Sequence, residues 1–459
     1  MKIDLNDTIA AISTSQGQAG IGIVRLSGAN ALAVADKVFS PRDGVKPSQL
    51  KTYTMRYGWV KDKDGQTIDE AILSVMRSPR TYTKEDVVEI NCHGGIVALG
   101  RVLDLVLENG CRFAEPGEFT KRAFLNGRID LAQAEAVLDI IQAKTDSALK
   151  IGTEQLRGVL SKGIHKIRKN ILALLAPLEA NIDFPDEEIG AANKNETIRR
   201  LNQIHNELKN ILDSSRYGRI LREGIHVVIC GKPNAGKSSL LNALLKQERS
   251  IVTPIAGTTR DTIEEIIDIK GIPVRIVDTA GIIEPRDLVE KKAVQRSKKH
   301  IRLADLVILV FDGSRKLNPE DRMLMRALKG KPVIALINKI DLKQKIEKEK
   351  LKIFAPVIEV SAKKLKHIEL LEKAIHGAVY SGRVKEPESM LVANLRHITL
   401  LREAEKFIAE ALNSLDNNLS LEFVSEDIKE AIGYLDDILG ERFSEDLLDK
   451  IFSEFCIGK

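Results

Sequence analysis

Gly231-Lys232-Pro233-Asn234-Ala235-Gly236-Lys237-Ser238 stands directly after the apolar run Ile225 to Cys230 and directly before Ser239 to Leu245, whose spacing is helical. Strand, glycine-rich loop and helix in that order form the setting in which G-x-x-x-x-G-K-[ST] cradles phosphate. The glycines let backbone N–H groups close round an anion at a helix N-terminus. Lys237 brings a point charge to the β- and γ-phosphates, and Ser238 offers its hydroxyl to Mg²⁺. A glycine-rich turn with no ligand would explain the octapeptide alone, but not the motifs that follow it.

Working outward, the runs Pro273 to Val277, Leu306 to Phe311, Val333 to Ile337 and Val357 to Val360 read as buried strands alternating with helices, which predicts a parallel α/β sheet. Asp278-Thr279-Ala280-Gly281 follows the first of these, placing a carboxylate at a strand end for the Mg²⁺ shell and a flexible glycine beside the γ-phosphate. Thr253-Pro254-Ile255-Ala256-Gly257-Thr258-Thr259-Arg260-Asp261 lies between the loop and this strand, where a threonine reaches Mg²⁺ and senses the third phosphate. Asn338-Lys339-Ile340-Asp341 ends the run Val333 to Ile337, and Asp341 is the natural acceptor for the N1–H and exocyclic amine of guanine. Adenine lacks that donor pair, and one lost hydrogen bond at a buried polar site discriminates by about 10⁴. Ser361-Ala362-Lys363 should close over the base. These motifs predict a P-loop domain over residues 224–382 that binds and hydrolyses GTP with Mg²⁺, through Asn234 to Ser239 on the phosphates.

A chain of 459 residues is several domains long. No apolar run approaches the roughly 20 residues a bilayer crossing needs, so no membrane role is expected. The opening MKIDLNDTIA is acidic where a secretory leader is basic. Four cysteines, Cys92, Cys111, Cys230 and Cys456, stand apart without a CxxC pair, which speaks against a zinc site or a disulfide framework and for a reducing cytoplasm. Lys plus Arg exceeds Asp plus Glu by 70 to 65, a mildly basic balance compatible with a polyanionic partner.

Ile21 to Leu26 and Val87 to Ile90 read as strands of a small α/β unit that ends near Phe119. From Leu131 to about Ser215 the period becomes helical, with Pro177 inside the stretch Gly158 to Ala180. After Pro387 it returns, with Leu421, Val424, Ile428, Ile432, Leu435 and Ile438 on one face, Gly440 as a C-cap, and a last helix to Phe455 whose apolar face would dock the following tail. The α/β domain thus interrupts a helical one. The expected division is 1–119 α/β, 120–223 helical, 224–382 P-loop GTPase and 383–459 helical with the tail.

Ras-type GTPases position the attacking water with a Gln just after D-x-x-G, but Ile282 stands there. Asn234 could instead offer its amide oxygen to a monovalent cation bridging the phosphates, with Arg260 as the alternative positive charge. Glu284, Asp287 or Glu290 could bind the water through a second water.

With Asn234, Ile282, the run Thr253 to Asp261 and the tail Phe455-Cys456-Ile457-Gly458-Lys459, the chain resembles the MnmE (TrmE) tRNA-modification GTPases over its whole length. Gly22 to Gly28, Pro116 to Phe119, Arg122 to Asn126 and Asp183-Phe184-Pro185-Asp186-Glu187-Glu188 belong to the same likeness. The resemblance implies a multidomain fold, α/β plus α: a Ras-like P-loop domain inserted in a helical domain and preceded by a small folate-binding and dimerising α/β domain. It implies partnership with MnmG, an FAD enzyme that uses NADH, in a heterotetramer acting on tRNA. The product would be an aminomethyl or carboxymethylaminomethyl group at C5 of the wobble uridine. The one-carbon unit would come from 5-formyl- or 5,10-methylene-tetrahydrofolate.

By the same resemblance the K⁺ ligands fall on Asn234, Thr253, Ile255 and Thr258, the Mg²⁺ ligands on Ser238 and Thr259, and the catalytic glutamate on Glu290. Folate contacts fall on Arg25, Glu89, Arg128 and Lys459, with Cys456 lining the pocket. A GTPase with a purely conformational output, as in ribosome assembly, is the competing reading, although no GXXG-bearing RNA module is evident. A folate enzyme with a regulatory GTPase is a third.

Overall fold

The computed structural model describes residues 6–15, 17–184, 194–247, 264–278, 300–380 and 391–459. Two compact units emerge, one of Met1–Leu138 with Asp436–Lys459 and one of Asp139–Leu435.

Along the first unit run β1 (Ile9–Ile12), β2 (Ala19–Ser27), α1 (Ala31–Val38), β3 (Phe39–Pro41), β4 (Thr54–Lys61), β5 (Thr67–Met76), β6 (Val87–Gly94), α2 (Ile96–Glu108), β7 (Arg112–Phe113), α3 (Glu118–Leu125) and the start of α4 (Leu131–Gln142). The strands form one seven-stranded sheet in the order β3-β4-β5-β6-β2-β1-β7. All its pairings are antiparallel except that of β1 with β7.

Alternation sets the two faces of this sheet. Val24, Leu26, Leu73, Val75, Val88 and Ile90 point to a buried side closed by Leu99, Val102 and Val106 of α2 and Val34 and Val38 of α1. Each fully buried Val or Leu there contributes about 1.5–3 kcal/mol. The register carries the opposite side chains in two rows, Tyr57, Ile72, Asn91, Ile23 and Met55, Ser74, Glu89, Arg25. On that side Met55, Tyr57 and Ile72 are exposed.

In the second unit α5 (Asp146–Leu156), α6 (Val159–Asp183) and α7 (Lys194–Glu223) lead into β8 (Ile225–Gly231), α8 (Lys237–Gln247), β9 (Glu264–Ile269) and β10 (Ile272–Asp278). Then come β11 (Leu306–Asp312), α9 (Pro319–Ala327), β12 (Val333–Asn338), β13 (Val357–Glu359), α10 (Ile368–Tyr380), α11 (Leu395–Asp416) and α12 (Leu421–Leu439). The sheet order is β13-β12-β11-β8-β10-β9.

The expected parallel sheet is present and gains an antiparallel edge, because β9 pairs antiparallel with β10. Its sequence, Glu264-Glu265-Ile266-Ile267-Asp268-Ile269, buries Ile267 and Ile269 and turns back through Lys270 and Gly271, both at positive φ (52° and 85°), a hairpin turn. Thr145 caps α5 by accepting from the Ala148 N–H at 3.1 Å, and its hydroxyl donates to the Gly271 carbonyl at 3.1 Å. Ile151 of α5 and Leu221 of α7 join the core of Val227, Ile229, Val274 and Ile276, so these helices and the sheet share one apolar interior.

The chain returns to the first unit through α13 (Glu445–Phe452). The sequence predicts this helix to Phe455, but it stops at Phe452. The Ser453 N–H is bonded to Asp449, and the next two N–H groups reach back only three residues, to Ile451 and Phe452. That tighter turn brings Phe455 into the cluster of Phe124, Leu131, Ala134, Leu448 and Phe452. Gly440, the predicted cap of α12, has φ 77° and donates to Asp436.

Arg122 of α3 is fully buried and meets Asp7, Glu85 at 3.1 Å and Glu118 at 3.0 Å. Burial pushes the Glu118 carboxyl up, but hydrogen bonds from Arg112, the Glu115 N–H and Arg122 outweigh it and hold Glu118 below its ordinary range. Asp7 is lowered in the same way, burial opposing Arg112 and Arg122. With native values lowered, these carboxylates stabilise the fold above their ordinary values of 4.5 and 3.8 and lose that contribution as pH falls through the lowered ones. Arg122→Met leaves carboxylates buried beside an apolar chain and should cost about 3–5 kcal/mol. Trp59, the single tryptophan, lies in this unit on β4, so urea unfolding followed by its fluorescence reads the loss. An unchanged midpoint would contradict it.

Candidate functional site

The glycine-rich loop joins β8 to α8, and the motif's Lys237 and Ser238 are the first two residues of that helix. Gly236 has φ 96°, and a Cβ there would sit 2.2 Å from the Asn338 side-chain nitrogen. Only glycine fits this approach of the loop to the fourth motif. Lys237 is buried and its ammonium donates to the Gly231 and Lys232 carbonyls at 3.1 and 3.0 Å, so the loop backbone itself holds the cation. Asn234 is exposed at the loop's crest with φ 65°.

Asn338, at the end of β12, is 2% exposed and bonds through both ends of its amide. Nδ2 donates to the Ala235 carbonyl at 3.0 Å, while Oδ1 accepts from the Lys339 and Ala362 N–H groups at 2.8 and 3.0 Å. One side chain thus joins the phosphate loop to both base-binding segments. Lys339 lies across the loop, donating to the Asn234 carbonyl and to Asp312, each at 2.7 Å. Asp341 is exposed and accepts from the Ser361 hydroxyl at 2.5 Å. That bond, with burial opposing and Lys363 and Lys364 assisting, lowers the Asp341 carboxyl below its ordinary range. An ionised acceptor stands ready for two N–H donors.

The structure therefore brings together Asn234, Ala235, Gly236, Lys237, Asn338, Lys339, Asp341, Ser361 and Ala362, with Ser238 and Ser239 exposed at the start of α8 and Lys363 exposed beyond Ala362. Thr253 to Asp261, Thr279 to Gly281, Ile282, Glu284, Asp287 and Glu290 lie outside the described residues, as do Pro185 to Glu188 and the side chain of Asp278. Among the described residues no His, Cys, Asp and Glu side chains cluster in a way that would hold a metal ion. Hydroxyl and carbonyl oxygens of the loop suit hard cations instead.

A second constellation lies wholly within the first unit. Arg25 and Glu89 are directly opposed on β2 and β6 and pair at 2.8 Å. Arg25 also donates to the Gly458 carbonyl at 3.4 Å and lies 5.7 Å from the Phe119 ring centre. The tail is seated by backbone contacts, with the Phe119 N–H on the Lys459 carbonyl at 3.1 Å and the Gly117 N–H near the Cys456 carbonyl at 3.4 Å. Gly458 has φ 91°, and a Cβ on it would stand 2.3 Å from the Ile12 carbonyl oxygen.

Arg128 covers the ring of Tyr82 at 4.7 Å, and the Tyr82 hydroxyl bonds Thr120 at 2.9 Å. Burial raises the Tyr82 hydroxyl's pKa while Arg128 and Arg25 both act to lower it, so this phenol stands within the field of both cations. Sequence reading missed Tyr82 as a member of the site. An aromatic between polar neighbours carries no local signal of a ligand. Cys456 is exposed beside this site, whereas burial pushes Cys92 up to about 11 and Cys111 and Cys230 up to about 12.

Comparison with known proteins bears on the whole chain. The family model described as the MnmE helical domain matches residues 131–456, and that described as the GTP-binding protein TrmE N-terminus matches residues 8–128. The tRNA modification GTPase MnmE of Clostridioides difficile is 47% identical over 99% of this chain and 100% of its own length. Those of Alkaliphilus metalliredigens and Bacillus subtilis are 46% and 44% identical, again over 99% of this chain and 100% of theirs. The G domain of the T. maritima FeoB iron transporter is 27% identical over 34% of this chain and 98% of its own, with a TM-score of 0.27, too low to bear on the fold.

Replacing one carboxylate oxygen of Asp341 by an amide removes an acceptor and adds a donor. Asp341→Asn should weaken GTP binding at least about tenfold and favour xanthosine triphosphate, whose ring replaces the guanine amine with a carbonyl. Nucleotide titration checks this. Undiminished GTP affinity would remove Asp341 from the base site.

Proposed function

Because this chain belongs to the MnmE family of tRNA modification GTPases, we propose that its GTP hydrolysis serves C5 modification of the wobble uridine of tRNA. The modification joins an aminomethyl or carboxymethylaminomethyl group and requires an FAD- and NADH-using flavoprotein, MnmG, in a heterotetramer. The one-carbon unit comes from 5-formyl- or 5,10-methylene-tetrahydrofolate. In this reading residues 1–119 hold folate and dimerise, 120–223 and 383–459 form the helical domain, 224–382 form the GTPase domain, and the protein works in the cytoplasm.

The observation that carries the folate assignment is the seat of the tail beside the Arg25–Glu89 pair. Glu89 offers carboxylate oxygens to a pterin amide and amine, while Arg25, Arg128 and Lys459 suit the carboxylates of a glutamate tail. Tyr82 supplies an aromatic face at the same place, and the fully buried Phe119 ring backs Arg25. Exposed Met55, Tyr57 and Ile72, on the sheet face that also carries Arg25 and Glu89, support a dimer surface.

In the GTPase domain the P-loop N–H groups and Lys237 bind the phosphates, Asn338 holds the loop to the base segments, and Asp341 selects guanine. Ser238 and Thr259 would ligate Mg²⁺, and Asn234, Thr253, Ile255 and Thr258 would ligate K⁺. The bound cations would offset charge developing on the phosphates. Glu290 would orient the attacking water through a second water, a task Ile282 cannot perform.

Two experiments test the reading. Wobble uridines should be unmodified in a strain lacking this chain, and equally in one whose chain lacks Cys456 to Lys459. The purified truncated protein should keep GTP hydrolysis and bind reduced folate weakly. Normal wobble uridines in the deletion strain would leave a GTPase with a conformational output, and full-strength folate binding after truncation would remove the tail from the pocket. Hydrolysis should also be at least about tenfold faster in K⁺ than in Na⁺, with Asn234→Ala losing most of the difference. Equal rates in the two salts would refute the bridging cation. Glu290→Ala should slow turnover without weakening nucleotide binding.

A further inference from the structure

The outer surface of α6 and the first half of α7 belongs to neither site above. From Arg157 to Leu178 the chain carries five Lys or Arg residues and no Asp or Glu. Lys162, Lys166 and Lys169 recur at steps of four and three residues, so they share one flank of α6, and all three are exposed. Lys166 meets Glu207 of α7 at 3.6 Å, a weak exposed pair. Beside this stripe the two helices leave a groove of about 600 Å³.

Its walls carry amides and guanidiniums, Asn170 from α6 and Arg199, Arg200, Gln203, Asn206 and Asn210 from α7, together with the Glu207 carboxylate that Lys166 meets. Glu196 accepts from Arg199 at 2.7 and 2.8 Å and from Arg200 at 2.7 Å. It thereby fixes both guanidinium planes and leaves most of their five N–H donors free to meet a ligand. The apolar lining is limited to Ala173 and Ile204.

We infer that this groove and its lysine flank form a docking surface for the sugar-phosphate backbone of the tRNA, a proposal that rests on the tRNA-modification reading above. Fixed guanidinium forks and a row of ammonium groups suit successive phosphates. Side-chain amides, each both donor and acceptor, suit ribose 2′-hydroxyls. From Arg199 to Asn210 the helix spans about 17 Å, enough for several successive phosphates. An acidic protein partner is a poorer match, because protein interfaces anchor on aromatic and aliphatic side chains in pockets and this groove has none of that size.

The test uses the full-length chain and a fluorescently labelled tRNA transcript, with anisotropy measured across a salt series. Replacing Lys162, Lys166 and Lys169 together by Gln should weaken binding at least about tenfold and reduce the log–log salt slope by about 2 to 3. Arg199→Gln with Arg200→Gln, on the other wall, should weaken it independently. GTP hydrolysis should be unchanged in both. Wild-type affinity and slope in both variants would overturn the proposal while leaving the modification reading to wobble-uridine analysis. It would also be overturned by loss of flavoprotein binding with tRNA affinity intact, or by a wild-type chain that binds no tRNA.

Discussion

A guanidinium with no access to water organises the amino-terminal unit. Arg122 shows no exposed surface, and a buried charge left alone would cost several kcal/mol. Three carboxylates from separate stretches therefore converge on it: Asp7 before β1, Glu85 before β6 and Glu118 one turn back on its own helix. The Ser27 hydroxyl extends the network, bonding Glu85 and Thr83 at 2.6 Å each. The consequence reaches the seat of the tail, since α3 is fixed with its first turn facing it. From there the Gly117 and Phe119 N–H groups meet the carbonyls of Cys456 and Lys459.

The GTPase region reaches a comparable convergence without charge. Asn338 joins segments about a hundred residues apart through a neutral amide bonded at both its oxygen and its nitrogen, which avoids the desolvation cost that an ion would carry there. Arg122 and Asn338 illustrate two ways for a long chain to hold distant loops at one point. The first depends on pH through its carboxylates. The second has no titrating member.

Much of the nucleotide site was legible because its rules are local. A loop, a strand end and a fixed order of motifs determine where Lys237, Asn338, Asp341 and Ser361 fall, and all are found at the ends of the predicted strands or the start of the predicted helix. The helical periods after Leu131 and after Pro387 were readable for the same reason. What escaped was set at a distance. The edge strand β9 contains three acidic residues, so its alternation is weak until β10 supplies a partner. Nothing near Tyr82 announces Arg128 above its ring, and nothing near Arg122 announces Asp7, 115 residues earlier. The early end of α13 follows from the destination of Phe455, which periodicity does not encode.

Contacts between Lys121 and Asp449 and between Arg25 and Gly458 span 328 and 433 residues of chain. During synthesis the amino-terminal sheet emerges long before its last partners exist. At about 5–20 residues per second, the roughly three hundred residues between the two parts of the first unit take about 15 to 60 s to translate. Throughout that interval the apolar seam of Phe124, Leu131 and Ala134 lacks Leu448, Phe452 and Phe455. A nascent chain stalled or truncated in the GTPase region would carry that seam uncovered, marking it for chaperones and proteases. The contact of Arg25 with the tail is therefore made only in molecules translated through to Gly458.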